Sequence, residues 1–314
     1  MQKEPFKHIF GPVPSRRLGR SLGIDLIPFK TCCLNCLYCE CGKTTVQTLE
    51  RKEYVPARAI IQEIDAFLCT VPSLDVITFA GSGEPTLNTA LPALLRHIQT
   101  HYPQYKTALL TNGSLLYLED VRQSLLTFNY VLPSLDAVRQ KTFEKINQPA
   151  GNLDSQEIIE GLITFSKMYR GTMWVEVFII PGINDAAAEL ALFKETLGKI
   201  RLGRVHLNTL DRPPAFAGIR PASPERLRQI ARFLAPLPVE IISRKAEAVP
   251  RIDLSRHNIG HILATLRRRP MTVEDLSATL AKNINEMYVL LDILLNKKLI
   301  TTQVVNNRTF YQAL

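Results

Sequence analysis

Residues 22–42 read LGIDLIPFKTCCLNCLYCECG, an apolar run followed at once by a run of cysteines. The apolar part, residues 22–27, has the length and composition of a buried strand. In the loop that follows, Cys32, Cys36 and Cys39 have the spacing C-x3-C-x2-C. Three thiolates at this spacing can ligate three irons of a [4Fe–4S] cluster and leave the fourth iron open. An open iron is a place for chemistry, so this loop predicts an iron–sulfur active site.

Apolar runs of strand length alternate with longer amphipathic segments over most of the chain. The sequence predicts strands at residues 22–27, 76–80, 106–110, 130–133, 175–180, 205–210 and 239–242. It predicts helices at residues 58–68, 91–101, 115–127, 155–169, 186–199 and 224–234. Strands alternating with helices indicate βαβ units and a parallel sheet. Six or seven units favour an α/β fold of the partial (β/α)6 TIM-like barrel type over a complete eight-unit barrel.

The unusual residues fall directly after the predicted strands, where such folds place their active sites. The cysteine loop follows the first strand, and GSGEP at residues 81–85 follows the second. Thr111-Asn112-Gly113 follows the third strand, Ser134-Leu135-Asp136 the fourth, and PGIND at residues 181–185 the fifth. These loops are therefore expected to meet around one site.

The composition is that of a globular protein of about two domains. The chain has 314 residues, of which 46% are hydrophobic and 21% charged, and its net charge is +9. No apolar run reaches the roughly 18 residues of a membrane span, and the first residues show no signal-peptide pattern, so a cytoplasmic protein without a membrane partner is expected. Clustered cysteines in a reducing compartment indicate metal or redox chemistry. The positive charge, including the arginines at 267–269, fits either nucleic acid or a solvated basic surface.

The pattern changes near residue 250, which predicts a domain boundary between residues 1–250 and 251–314. Three helices are predicted at residues 257–268, 272–282 and 283–297, followed by a hairpin of residues 300–305 and 308–311 around Asn306-Asn307. This order predicts a C-terminal winged helix-turn-helix. Its expected base-reading positions, Asn283, Asn285, Glu286 and Tyr288, carry no arginine or lysine. Docking of substrate or protein is therefore favoured over transcription control, and a nucleic-acid contact remains possible.

Other metal sites fit the cysteines less well. Structural zinc usually takes two well-separated ligand pairs, and no second CxxC or HxxxH is present. An electron carrier would need a distant fourth cysteine followed by proline. Cys69 is followed by Thr70 within an apolar helix-like run, which predicts a buried thiol instead. Cys33 and Cys41 are left without an assigned role.

Together, two motifs resemble the radical S-adenosylmethionine (SAM) superfamily. They are the cysteine motif, with Tyr38 before its last cysteine, and GSGEP one strand later. The resemblance implies that Cys32, Cys36 and Cys39 hold a [4Fe–4S] cluster and that the open iron binds SAM. It implies that electron transfer from a flavodoxin or ferredoxin cleaves SAM to a 5′-deoxyadenosyl radical, which abstracts hydrogen from an unidentified substrate. The implied SAM-contacting residues are Tyr38, Gly81, Gly83, Glu84, Pro85, Thr111, Asn112, Ser134 and Asp136.

Several of these assignments have a structural alternative. Asn-Gly and Ser-x-Asp make good turns and helix caps, so residues 111–112 and 134–136 are equally consistent with capping. The PGIND loop resembles the superfamily loop near the adenine, and a helix cap explains it nearly as well. Glu176 can face into or out of the barrel. His206, Asn208, Asp211 and Arg212 are candidate substrate contacts.

The segments GPVPSRRLGRSLGIDLIP (11–28) and TFAGSGEPTL (78–87) resemble one branch of the superfamily, iron–sulfur oxidoreductases related to wyosine-forming tRNA-modifying enzymes. Those enzymes carry a second cluster on upstream cysteines, whereas the first cysteine here is Cys32. A tRNA base-modifying enzyme is therefore one alternative function. A second is an iron–sulfur redox sensor that signals to a DNA-binding winged helix.

Overall fold

The computed structural model describes residues 6–242, 259–280 and 284–314. In chain order, the strands are β1 (Ile9–Ser15), β2 (Gly19–Ile24), β3 (Thr31–Cys32), β4 (Val46–Gln47), β5 (Val76–Phe79), β6 (Lys106–Thr111), β7 (Tyr130–Pro133), β8 (Thr172–Ile179), β9 (Arg204–Thr209), β10 (Val239–Ile241), β11 (Ile300–Val305) and β12 (Arg308–Ala313). The α-helices are α1 (Ala57–Leu68), α2 (Leu91–His101), α3 (Glu119–Ser124), α4 (Gln140–Asn147), α5 (Ser155–Met168), α6 (Ala187–Gly198), α7 (Pro224–Leu234), α8 (Ile259–Arg268), α9 (Val273–Leu280) and α10 (Ile284–Asn296).

Eight strands form one sheet in the order β1-β2-β5-β6-β7-β8-β9-β10. All neighbouring pairs from β2 to β10 are parallel, and β1 is antiparallel to β2. The strand order follows the chain order, as expected for a series of βαβ units. Arg17, in the turn between β1 and β2, contacts Glu176 on β8. This contact requires the sheet to curve until its first hairpin meets its sixth strand.

The two faces of the sheet differ in polarity because side chains alternate along each strand. Val175 and Val205 are neighbours on β8 and β9 and are fully buried in the main apolar core. That core also contains Phe165, Phe193 and Ile230 from the helices that cover the sheet. The next residues on the same two strands, Glu176 and His206, occupy the opposite, concave face. The helices thus cover the apolar face, and the concave face is left for polar chemistry.

The C-terminal unit consists of residues 259–280 and 284–314, with α8, α9, α10 and the β11–β12 hairpin. Asn306 and Asn307 form the hairpin turn with φ of 50° and 59°, the left-handed conformation that a two-residue turn requires. The unit has its own apolar cluster, which includes Leu266, Leu276 and Leu291. Val13 of β1 belongs to the same cluster, so the unit packs on the first hairpin of the sheet.

Some elements differ from the sequence-based expectations. Strand β1 was not expected, since its sequence IFGPVPS contains two prolines; an edge strand tolerates them because it has free backbone positions. Helix α4 was not expected either, and the helix predicted at residues 115–127 spans only Glu119–Ser124. The expected boundary at 250/251, the first residues of the helix predicted from 257, and residues 282–283 lie outside the described residues. Among the described helices, none is long and apolar enough to cross a membrane.

Candidate active site at the cysteine loop

The cysteine loop forms one wall of a cavity of about 220 Å³ at the carboxyl ends of the parallel strands. Cys32 lies in β3, whose short pairing with β4 fixes the start of the loop. The cavity is lined by all three predicted cluster ligands and by every other predicted site residue except Pro85 and Asp136, that is by Cys32, Cys36, Cys39, Tyr38, Gly81, Gly83, Glu84, Thr111, Asn112 and Ser134. The structure therefore brings the predicted motifs together in one place.

Each of the three cysteines accepts an N–H hydrogen bond. Lys30 Nζ lies 3.1 Å from Cys39 Sγ, and Asn147 Nδ2 lies 3.3 Å from Cys36 Sγ. Cys32 Sγ accepts from Asn112 Nδ2 and from the backbone N–H of residue 34, both at 3.5 Å. Donors of this kind stabilise thiolates and tune the potential of an iron–sulfur cluster.

Cys36 and Cys39 differ in acidity. Burial raises the pKa of Cys36 well above its usual value. Hydrogen bonding from Cys41, together with the Lys30 ammonium, lowers the pKa of Cys39 to about 6. Cys39 is thus more readily available than Cys36 as a thiolate, the form that binds metal.

The donor set of the cavity suits an iron–sulfur cluster. A [4Fe–4S] cluster takes each ligating sulfur on a separate iron, so three cysteines can hold it and leave one iron open. Three cysteines around a cavity, each with an N–H donor, are a donor set suited to such a cluster.

The other three cysteines occupy different environments. Cys33 is fully buried, and its Sγ lies 2.8 Å from Ser114 Oγ. Cys41 Sγ donates to the carbonyl oxygen of Arg268 at 2.9 Å. The expectation of a buried Cys69 is wrong, since this residue caps the C-terminus of α1 at the surface and is exposed.

Gly83 allows the glycine-rich loop to pass close to the cysteine loop. A Cβ at this position would lie 1.9 Å from the carbonyl oxygen of Thr31. The next residue, Glu84, donates its backbone N–H to that same oxygen at 3.3 Å. Only glycine permits this approach, which joins the two motifs directly.

The buried carboxylate of Glu84 links two loops of the site. It accepts hydrogen bonds from the hydroxyl of Thr86 at 2.6 Å, the hydroxyl of Thr111 at 2.7 Å and the backbone N–H of Asn112 at 2.8 Å. Burial raises the pKa of Glu84, and these hydrogen bonds oppose the rise. Glu84 therefore ties the second strand loop to the third at the edge of the cavity.

Asp136 does not line the cavity, but it orders residues that do. Its carboxylate accepts from the hydroxyl of Tyr38, from Asn147 Nδ2 at 2.9 Å and from the backbone N–H of Phe178 at 3.1 Å. Tyr38 also stacks on Phe178, with ring centroids 3.9 Å apart. Burial raises the pKa of Asp136 to about 6. In this arrangement Asp136 supports the cysteine loop through Tyr38 and Asn147, the latter also bonded to Cys36.

The PGIND loop is held by its own asparagine. Asn184 is fully buried, donates to the carbonyl oxygens of Asp136 and Phe178, and accepts from the backbone N–H of Ile180. These hydrogen bonds explain Asn184 as a residue that caps its own loop. Capping was the alternative to a contact with the adenine of SAM.

Residues Arg17, Lys30 and Glu176 also line the cavity. Sequence reasoning did not assign Arg17 or Lys30 and left the direction of Glu176 open, whereas the structure turns Glu176 inward to an ion pair with Arg17. The only available signal was the strand alternation that places Glu176 opposite two core valines. The partner lies 159 positions away along the chain, a separation that no local pattern reports.

The four candidate substrate contacts near β9 do not line this cavity. His206 and Asn208 are buried, Asp211 pairs with Arg16 at 3.5 Å, and Arg212 pairs with Glu40.

One arginine of the run at residues 267–269 makes a contact inside the fold. Arg268 Nε donates to the buried carboxylate of Asp25 at 2.6 Å, and Asp25 in turn accepts from Ser82 of the glycine-rich loop.

Residues 26–193 match the Radical SAM superfamily over more than half of the chain. This chain belongs to the radical SAM superfamily. Membership implies enzyme activity, and members typically use a [4Fe–4S] cluster and SAM. Over its full length the chain is 38% identical to a UPF0026 protein of Helicobacter pylori strain J99, which is also covered completely.

Two solved structures share the radical SAM fold. A radical SAM methyltransferase from Sphaerobacter thermophilus matches with a TM-score of 0.58 and 17% identity, over 70% of this chain and 65% of that one. TYW1 with a lysine-pyruvate adduct bound matches with a TM-score of 0.54 and 17% identity, over 72% and 75%. At this identity the likeness shows the fold alone, an α/β fold with a mostly parallel sheet.

Proposed function

We propose that this protein is a radical SAM enzyme that binds a [4Fe–4S] cluster through Cys32, Cys36 and Cys39 and acts on a small substrate in the adjoining cavity. The observation that carries the proposal is that these thiols and the glycine-rich loop line one cavity, with an N–H donor on each sulfur. When bound, the cluster and SAM supply the electron, the cleavable sulfonium bond and the deoxyadenosyl group that takes hydrogen from the substrate.

The protein's own part is to bind, orient and exclude water. Asn112, Asn147 and Lys30 hold the three sulfurs toward the cavity. Glu84 and Gly83 keep the glycine-rich loop against the cysteine loop, where SAM would contact them. Sites of this kind sit at the carboxyl ends of the strands of a partial (β/α)6 barrel, the architecture we propose for the curved sheet.

We propose a docking role for the C-terminal unit, whose three helices and hairpin follow the order of a winged helix. Its helix α10 exposes Ile284 and Tyr288, which lie about one turn apart on the same side of the helix, unlike the basic surface that phosphate binding requires. Arg268, a basic residue of the same unit, donates to the buried carboxylate of Asp25 within the fold. The unit is therefore better suited to contact substrate or protein than DNA, which disfavours the redox-regulator alternative.

The wyosine-type alternative is disfavoured by the state of Lys30. The TYW1 structure contains a lysine–pyruvate adduct, which requires a lysine with a free amine. Burial opposes the charge of Lys30, but the Cys39 and Cys41 thiols raise its pKa above the ordinary value. Lys30 is thus held as an ammonium on Cys39 rather than as a free amine nucleophile.

Product analysis tests the proposal. The cluster is reconstituted anaerobically, SAM and dithionite are added, and 5′-deoxyadenosine and methionine are quantified by liquid chromatography and mass spectrometry. We expect both products from the wild type and neither from the Cys36→Ala variant. Equal amounts from the two proteins, or none from a wild type with full iron content, would overturn the proposal. Flavodoxin or ferredoxin can then replace dithionite to test the expected electron donor.

A further inference from the structure

The cavity contains a charged pair that the proposed binding of cluster and SAM does not use. Arg17, from the turn between β1 and β2, and Glu176, from β8, contact each other across the concave face of the sheet. Both line the cavity. Their side chains are 14% and 15% exposed, so the pair is largely shielded from solvent without being sealed in protein.

Both partners have unused hydrogen-bonding capacity. A guanidinium carries five N–H donors, and within the described part of the chain Arg17 directs one nitrogen, Nη1, to a single acceptor, Glu176 Oε2. Glu176 Oε1 accepts no bond from the described residues. None of these free atoms is among the buried polar atoms that lack a partner, so they are open to the cavity.

The other two charges on the cavity wall have partners of their own. Lys30 donates one of its three N–H groups to Cys39, a predicted cluster ligand, and Glu84 is bonded to Thr86, Thr111 and Asn112. Among the described charged side chains that line the cavity, Arg17 and Glu176 therefore form the oppositely charged pair that keeps both donors and an acceptor for a ligand.

The surroundings of Glu176 add no second cation from the neighbouring strand. On β9 the residue in register with Glu176 is His206, which is buried and whose Nδ1 has no partner among the described residues. Burial, together with Arg17 and Arg204, lowers the pKa of His206 to about 3, so the imidazole is neutral at physiological pH. The site presented to a ligand thus carries one positive and one negative group with no net charge.

We propose that Arg17 and Glu176 bind the substrate and that the substrate is a small zwitterion, with a carboxylate for Arg17 and an ammonium for Glu176. This deepens, and rests on, the proposed radical SAM function. A guanidinium fork matches a carboxylate with two parallel bonds, and a free carboxylate oxygen matches an ammonium. A substrate with only one of these charges would leave the other member of the pair poorly solvated and without a new partner. A free amino acid has the required chemistry.

Equilibrium dialysis tests the proposal without any reaction. Reconstituted protein is kept anaerobic and unreduced, with SAM saturating, so that the amino-acid end of SAM itself is already bound. It is dialysed against an equimolar mixture of the protein α-amino acids, their N-acetyl derivatives and the corresponding decarboxylated amines, and retained compounds are quantified by mass spectrometry. We expect retention of at least one amino acid, but not of its N-acetyl or amine counterpart.

Substitutions link retention to the pair. Arg17→Gln and Glu176→Gln should each lower retention by about tenfold or more, since each removes a charge-assisted bond. Arg17→Lys keeps the positive charge but lacks the two parallel donors of the guanidinium. Its amino-acid retention should therefore lie between those of the wild type and of Arg17→Gln. The matched control is Arg204→Gln, which breaks the exposed Arg204–Glu240 pair (2.6 Å) and should leave retention unchanged.

Four results would overturn the inference. Three of them are retention of no amino acid, equal retention of the N-acetyl or amine counterparts, and unchanged retention in the folded Arg17→Gln and Glu176→Gln variants. Loss of SAM binding in these variants would assign the pair to SAM instead and would equally overturn it. Because the dialysis needs no electron, a protein that retains an amino acid but forms no 5′-deoxyadenosine would contradict the proposed function alone.

Discussion

Arg212 Nη1 lies 3.0 Å from both carboxylate oxygens of Glu40, and this ion pair fastens the cysteine loop to the end of β9. Glu40 stands between Cys39 and Cys41. Burial would raise its pKa, but Arg212, Arg16 and Arg269 hold that pKa at about 2. Arg212 Nε also donates to the carbonyl oxygen of Pro270 at 3.0 Å. One buried arginine thus joins the cysteine loop, the sheet and the C-terminal unit.

Removing Arg212 should be destabilising. Arg212→Ala removes a buried guanidinium and leaves the partly buried Glu40 carboxylate without its main partner, so we expect a loss of about 1–3 kcal/mol in the free energy of unfolding. Chemical denaturation of the cluster-free protein measures it. The matched control is Arg228→Ala, which breaks an exposed pair with Glu225 and should cost less than about 1 kcal/mol. A loss of similar size in both variants would show that the buried pair has no special structural role.

The cysteines should divide into two groups by cluster content. Alanine at position 32, 36 or 39 should abolish stoichiometric iron and sulfide binding after reconstitution, because each is a proposed ligand of the cluster. Alanine at Cys33, Cys41 or Cys69 should leave the iron content near that of the wild type. Iron and sulfide assays with visible absorption provide the measurement. A Cys41 variant that loses its cluster would show that this thiol is a ligand rather than a hydrogen-bond donor to Arg268.

Glu84 should matter for folding as well as for SAM. In Glu84→Gln an amide N–H₂ replaces an acceptor oxygen and faces buried donors, so we expect a loss of about 2 kcal/mol in unfolding free energy and weaker SAM binding. Thr111→Val removes only one donor and should cost about 1 kcal/mol. Denaturation and isothermal titration with SAM measure the two effects. If Glu84→Gln bound SAM as tightly as the wild type, the assignment of Glu84 to the SAM site would be wrong.

His206 should make stability fall in mild acid. Its pKa is about 3 in the folded protein and near 6.5 when unfolded, so the unfolded chain binds the extra proton as the pH falls below 6.5. Between pH 7 and pH 5 the wild type should therefore lose about 2 kcal/mol more stability than His206→Gln. Denaturation midpoints at the two pH values provide the comparison. Parallel pH profiles for the two proteins would contradict a neutral, buried His206.

The sequence predicted the repeating part of the fold well because local patterns encode it. Strand β7 and helices α2 and α7 have the predicted bounds, since apolar periodicity and turn residues mark their ends. Strand β1 was not predicted from the sequence because its prolines are typical of turns. Its pairing with β2 is a tertiary contact that leaves no local sequence pattern. The prediction of a buried Cys69 was wrong because this residue lies at the exposed C-terminal end of α1. The hydropathy of an apolar helix does not show which of its ends is exposed.

The candidate site divides in the same way. Motif spacing predicts Cys32, Cys36, Cys39 and the glycine-rich loop as site residues because each is a local pattern, and the structure places them around one cavity. The pairing of Arg17 with Glu176, and of Glu40 with Arg212, joins residues 159 and 172 positions apart. Such contacts depend on how far the sheet curves, which no segment of the sequence determines alone.

In the proposed enzyme, SAM would bind the cluster iron that has no cysteine ligand. Electron–nuclear double resonance of the reduced, reconstituted protein tests this binding mode with SAM carrying ¹⁵N at the methionine amine. We expect a ¹⁵N hyperfine coupling to the cluster that disappears when unlabelled SAM is used instead. A reduced cluster at full occupancy, with SAM bound and no such coupling, would show that the amine of SAM does not bind the open iron.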